Sequence, residues 1–110
     1  MMMRFWHTLK RKPQNVAVYK VSPVAERDLV DIYIRGFREW GEGAAESFQY
    51  KLISSFQMLA NNSDMGYEVS IRPQLRRFEL NPYVIFYRKF SYGVRIARVL
   101  YKNRAMQKHL

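Results

Sequence analysis

The 110-residue sequence predicts an α+β fold of order β-α-α-β-β-β, a mainly antiparallel sheet with a helical hairpin packed on one face. Three observations predict it. Residues 23–62 hold two runs with apolar side chains at three- and four-residue intervals, separated by Gly41 and Gly43. Residues 75–102 hold three runs rich in β-branched and aromatic residues, separated by Asn81-Pro82 and by Ser91-Tyr92-Gly93. A shorter β-rich run precedes both.

That first run, Val16 to Val21, alternates loosely and stops at Ser22-Pro23. Ser22 can accept from the free amides of a first helical turn, and Pro23 suits a first helical position, where its missing N–H costs nothing. Glu26 and Asp28 then place negative charge near the positive end of the helix dipole. Leu29, Ile32, Tyr33, Gly36, Phe37 and Trp40 form the expected buried stripe, and Gly41 supplies the stop. Ala45, Phe48, Leu52, Phe56 and Leu59 make the stripe of a second helix that ends at Asn61-Asn62-Ser63. Helices joined by about three residues lie antiparallel, so the pair presents one oily side that needs a cover.

After a loop through Asp64-Met65-Gly66, strands over Leu75–Leu80, Tyr83–Phe90 and Val94–Lys102 supply that cover as an antiparallel meander. The middle run carries Val84 and Phe86 on one face and Ile85 and Tyr87 on the other, which predicts an interior strand. By alternation, Arg76 falls with Phe78 and Leu80, while Arg77 and Glu79 fall with Leu75. Arg88 falls with Val84 and Phe86, and Arg98 with Val94, Ile96 and Leu100.

Composition limits the chemistry. With no cysteine, disulfides, thiolate metal sites and cysteine nucleophiles are excluded, and a reducing cytoplasm is the expected setting. His7 and His109 are far apart, so neither a metal site nor any other cofactor is expected. The N-terminus lacks the apolar run of a signal peptide, and no window is long enough to cross a bilayer. The net charge of +10 is uneven: residues 71–110 hold ten bases against Glu79 alone, whereas residues 22–70 hold four bases against eight acids. Such a cationic segment suits a phosphate backbone, an acidic protein partner, or plain solvation.

No glycine loop has the setting of a phosphate cradle, since Gly41 and Gly43 lie between two helices. Asp28 with Asp31 and Glu42 with Glu46 sit at helical spacing and read as surface charge. A metal-free ribonuclease could draw on Arg88, Arg98, Tyr101, Lys102, Arg104 and His109 to stabilise charge and move protons. Arginine and tyrosine are also what protein interfaces enrich.

Three stretches carry a family resemblance: YKVSPVAERDLVDIYIRGFREWGEGAAESF (residues 19–48), IRPQLRRFELNPYVIFYR (residues 71–88) and GVRIARVLYKNRAMQKHL (residues 93–110). Together they resemble the ParE toxins of the ParE/RelE superfamily over about residues 17–110. The sequence departs from the family's pattern at Gln74, where glycine is usual, at Asn62-Ser63 in place of Asn-Pro, and at Gly66-Tyr67 in place of Gly-Arg. Residues 1–15 read as a basic extension, a mis-assigned start or an added arm, ahead of a toxin domain over 16–110.

The resemblance implies the toxin of a type II toxin–antitoxin pair that inhibits DNA gyrase and is held inactive by a ParD-like antitoxin wrapping it as helix and extended chain. The alternative is a RelE-like ribosome-dependent mRNA endonuclease. Those nucleases use a C-terminal tyrosine, whereas this chain ends Lys108-His109-Leu110, so a non-catalytic toxin is expected. The expected partner-binding residues are Arg72, Arg76, Arg77, Arg88, Arg98, Tyr101, Lys102, Arg104 and His109.

Overall fold

The structure, a computed structural model, describes residues 17–105; the basic segment 1–15, Val16 and the tail that includes His109 lie outside the described residues. Strand β1 (Val18–Val21) leads into helices α1 (Pro23–Trp40) and α2 (Glu42–Asn61). Strands β2 (Tyr67–Val69), β3 (Arg72–Leu80), β4 (Tyr83–Phe90) and β5 (Gly93–Tyr101) follow, and then a short helix α3 (Lys102–Ala105). The strands form one sheet in the order β1-β5-β4-β3-β2. Only β1 and β5 run parallel; the other neighbours are antiparallel. The α+β architecture expected from the sequence is therefore the one adopted, with β2 added where a loop was expected.

The helix ends form as their residues dictate. Ser22 is extended, its Oγ accepts from the Ala25 N–H at 3.0 Å, and its own hydroxyl donates to the Ala97 carbonyl at 3.0 Å. One side chain thus caps α1 and ties it to β5. Gly41, with φ at 93°, ends α1 and starts α2 by itself, so the connection is a single residue. The helices meet closely: a methyl group built on Gly36 would lie 3.6 Å from Ala45. Gln49 on α2 donates to the Leu29 carbonyl of α1 at 3.1 Å, locking the hairpin from inside.

Ala25, Leu29 and Ile32 of α1 and Leu52, Ile53, Phe56 and Leu59 of α2 pack on Tyr83, Ile85 and Tyr87 of β4 and Val94, Ile96 and Val99 of β5. A second cluster, Val69, Leu75, Val84, Phe86 and Leu100, occupies the other side of the sheet, and neither long helix contributes to it. Val84 to Tyr87 are all fully buried, as an interior strand with two apolar faces requires. Each such side chain contributes roughly 1.5–3 kcal/mol of burial, which makes β4 the backbone of the fold.

Two expectations change. Phe37 and Trp40, assigned to the core stripe of α1, are 50% and 74% exposed. At about 100° per residue, the buried line runs through Ala25, Leu29, Ile32 and Gly36, and Phe37 falls a quarter turn or more away from it. The second change is β2, whose three residues are too few to show any periodicity and pair with β3 through a register irregularity at Glu68 and Val69.

The α2–β2 loop is clamped by Tyr87. Its hydroxyl donates to the Ser63 carbonyl and accepts from the Gly66 N–H, each at 2.9 Å. A Cβ at Gly66 would lie 2.5 Å from the Arg77 carbonyl oxygen and 2.7 Å from that hydroxyl, so only glycine fits. Replacing Tyr87 with phenylalanine leaves the Gly66 amide without an acceptor and is expected to cost about 1–3 kcal/mol, read as a lower urea midpoint at constant slope. An unchanged midpoint would show the loop to be held by other contacts. No helix among the described residues is long and apolar enough to cross a membrane.

Candidate partner-binding surface

Strand register decides which cations stand together. Residues paired across neighbouring strands point to the same side, with strands about 4.8 Å apart. Lys20 of β1 is opposite Arg95 of β5, and Arg95 is opposite Arg88 of β4. The three form one row across the sheet on the face of Val84 and Phe86, away from the helical hairpin. In the next row Arg98, Phe86, Arg77 and Tyr67 stand opposite one another.

The first row is electrostatically uncompensated within the described residues. No carboxylate there pairs with Lys20, Arg95 or Arg88. Arg88 donates only weakly to Gln74, at 3.4 Å, and the Lys20 ammonium sits 4.5 Å over the Tyr92 ring, which stacks on Phe90 at 5.2 Å. Like charges held about 6 Å apart in water repel by roughly 0.7 kcal/mol, and directly opposed like charges destabilise a sheet. The other end of this face is partly compensated. Glu79 takes Lys102 at 3.2 Å and Arg77 at 2.9 Å, and these partners, Lys102 first, hold its carboxyl below the usual range. That contribution is present above the ordinary carboxylate pKa and is lost as pH falls through the lowered one. An anion is therefore drawn to the Lys20, Arg95 and Arg88 end.

The face is not an open surface. Its centre is the buried second cluster, and Arg77, Arg88, Arg95 and Arg98 are half-buried around it, as long side chains are when their stems lie on apolar neighbours. Of the nine residues expected to bind a partner, those whose side chains are described do not make one surface. Arg88 and Arg77 lie on this face, and Arg72 is exposed at the start of β3, opposite Val69. Arg76 turns to the helix side, where its guanidinium donates to the Gly66 and Asp64 carbonyls at 2.6 and 3.1 Å and so holds the loop that Tyr87 clamps.

Arg98 is committed elsewhere too. Between Phe86 and Tyr87 the partner on β5 jumps from Arg98 to Ile96, leaving Ala97 as an extra residue. This bulge reverses the phase of β5, so Val94 and Ile96 join the helix-side core while Leu100 joins the outer cluster, contrary to the single face expected. Arg98 reaches Asp28 of α1 with two bonds of 2.9 Å, and the same carboxylate accepts from the Val99 N–H at 2.9 Å. Asp28, read from sequence as surface charge, instead closes the edge of β5 that β1 is too short to cover. Its hydrogen bonds keep the Arg98 guanidinium protonated to still higher pH than usual.

Tyr101 lies on the helix side, edge-on to Tyr83 at 5.5 Å, with the Arg35 guanidinium 5.6 Å from its ring. It lines a separate cleft of about 420 Å³ with Arg35, Trp40, Phe48 and Pro82. The side chain of Arg104 and the whole of His109 lie outside the described residues. Lys20 and Arg95 escaped sequence reasoning. Their only signal was a lysine in the first strand and an arginine in the last, and nothing local says that those strands are neighbours.

Comparison with known proteins agrees with this fold. Residues 19–106 match the model of the family described as ParE toxin of type II toxin-antitoxin system, parDE. Toxin ParE1 of Caulobacter vibrioides is 31% identical over 93 residues, covering 84% of this chain and 96% of that protein. Toxin ParE1 of Mycobacterium tuberculosis is 28% identical over 94 residues, with the same shares covered. A solved structure described as the chromosomal ParDE TA system from P. aeruginosa superimposes with a TM-score of 0.67 at 20% identity, covering 78% of this chain and 96% of that one. The chain belongs to the ParE family of type II toxin–antitoxin toxins.

Proposed function

We propose that this toxin acts in the cytoplasm by inhibiting DNA gyrase without bond-breaking chemistry of its own, and that a ParD-like antitoxin silences it by laying an acidic segment over the Lys20, Arg95 and Arg88 row. The uncompensated row carries this reading. Three opposed cations cost the free chain stability, and an anionic polypeptide turns that cost into attraction. Oppositely charged partners meet faster, and the charge pairing fixes register.

Among the described residues, the groups that a ribonuclease would draw on do not converge. Arg88 faces away from the hairpin, Tyr101 lies on the hairpin side, and Arg98 is held by Asp28. Burial, the largest influence on the Tyr83 phenol beside Tyr101, pushes it up, away from the range of a general base.

Purified toxin is expected to inhibit gyrase supercoiling and to leave ribosome-bound transcripts intact; cleaved transcripts with normal supercoiling would select the endonuclease. Arg95→Glu is expected to weaken antitoxin binding by roughly tenfold or more while leaving Tm unchanged or raised, because it relieves repulsion within the row. A fall in Tm without loss of affinity would return Arg95 to a structural role.

A further inference from the structure

Helix α2 and strand β1 border a cleft of about 450 Å³, in the size range of small-molecule sites. Tyr19, Ile53 and Met58 give it an apolar floor. Ser54, Gln57 and Asn61 give it a polar wall, because spacings of three and four residues place them on one ridge of α2. No charged side chain lines it, although the chain carries a net charge of +10. Tyr19 packs on the helix side of β1 and Lys20 alternates to the other side, so the cleft and the cation row lie on opposite faces of that strand.

The polar wall is set in one orientation. The Gln57 amino group donates to the Ala17 carbonyl at 2.9 Å and to the Asn61 Oδ1 at 3.2 Å. These bonds leave the Gln57 Oε1 as an acceptor and the Asn61 Nδ2 as a donor, side by side and without another partner among the described residues. At the floor, the Tyr19 hydroxyl is buried and has no hydrogen-bond partner among the described residues, while its ring is held against Phe56. Burial pushes the phenol up to about 12, so it stays a donor at neutral pH. Buried hydroxyls are nearly always satisfied, and an orphan one in the lining of a cleft calls for a ligand atom.

These features select the chemistry of the ligand. Phosphates and carboxylates find no cation here, and ammonium groups find no carboxylate. A hydrocarbon would strip water from the carboxamides without replacing its hydrogen bonds. A sugar carries hydroxyls on all sides, and Ile53 and Met58 offer them nothing. The complement is a flat ring system, apolar on its faces, with a donor beside an acceptor along its edge. We propose that the cleft binds an uncharged nucleobase-type heterocycle, with free adenosine as the simplest match. The adenine amino group donates to the Gln57 Oε1 and a ring nitrogen accepts from the Asn61 Nδ2, the pairing by which carboxamides read adenine. The site is independent of what the toxin attacks and of its antitoxin.

The test is calorimetric titration of the full-length protein with adenosine, with purine riboside, which lacks the amino group, and with ribose. Saturable one-to-one binding of adenosine is expected, with purine riboside about fivefold weaker or worse and no binding of ribose. Adenosine monophosphate should bind no tighter than adenosine, since no cation lines the cleft. Asn61→Asp turns the donor into an acceptor and is expected to weaken adenosine roughly tenfold, with Tm unchanged because the side chain is exposed. Tyr19→Phe separates a hydroxyl that bonds a ligand from one that holds the fold. Affinity should fall while the Tm of the free protein holds or rises, because an orphan polar atom leaves the core. No binding of adenosine to wild type at millimolar concentration would overturn the proposal. So would unchanged affinity in both variants, a lower Tm of Tyr19→Phe, or monophosphate binding that inorganic phosphate displaces.

Discussion

Gly93→Ala is expected to abolish or nearly abolish folding. Gly93 opens β5 with φ at 142°, a backbone state that side-chain-bearing residues rarely adopt. A Cβ there would run into the Val18 carbonyl oxygen and lie 2.9 and 3.0 Å from the Val18 nitrogen and carbonyl carbon. Strand β1 cannot retreat. The Val18 N–H is bonded to the Tyr92 carbonyl at 2.8 Å, and Tyr19, 1% exposed, packs on Phe56 with ring centroids 5.7 Å apart. Backing away would strip that aromatic pair from the core. A loss of about 4 kcal/mol or more is expected, most of the stability of a marginal domain. Gly43→Ala is the matched control: nothing lies within 4 Å of its added methyl, and within α2 the change should stabilise by about 0.5–1 kcal/mol. Denaturant unfolding of both variants, followed by circular dichroism, reads the contrast. Equal small shifts would mean that β1 can leave the sheet at little cost.

The second large effect is expected at Asp28. Its carboxylate, with a side chain only 11% exposed, satisfies the Arg98 guanidinium and the Val99 amide together. Asp28→Ala leaves a half-buried charge and a backbone donor without acceptors and is expected to cost about 2–4 kcal/mol. If the unpaired guanidinium is the source of that cost, adding Arg98→Met to Asp28→Ala should restore part of the stability. The double-mutant cycle isolates this coupling. Strict additivity would assign the whole loss to the Val99 amide and to α1 itself.

These effects share a feature: each depends on partners far away in sequence. Helix limits, by contrast, were legible locally. Ser22-Pro23 started α1 and Gly41 ended it because capping and left-handed backbone are settled by a few neighbouring residues. The two-faced apolar run in β4 announced an interior strand for the same reason. Burial near the end of α1 was misread, since Phe37 and Trp40 continue a helical period that runs two ways around the same helix. Arg98 was misplaced because one bulge residue, Ala97, flips the alternation on which face assignments depend.

The amino-acid order by itself determined two amphipathic helices, a meander of strands and an excess of cations in the last third, since all of these follow from periodicity, turn chemistry and counting. Only the tertiary structure decided which cations meet. Lys20 and Arg88, 68 positions apart, became neighbours of Arg95 through the parallel pairing of β1 with β5 and the antiparallel pairing of β4 with β5. The physical reason is that strand order is chosen by burial summed over the whole sheet, and no short stretch of sequence carries that sum.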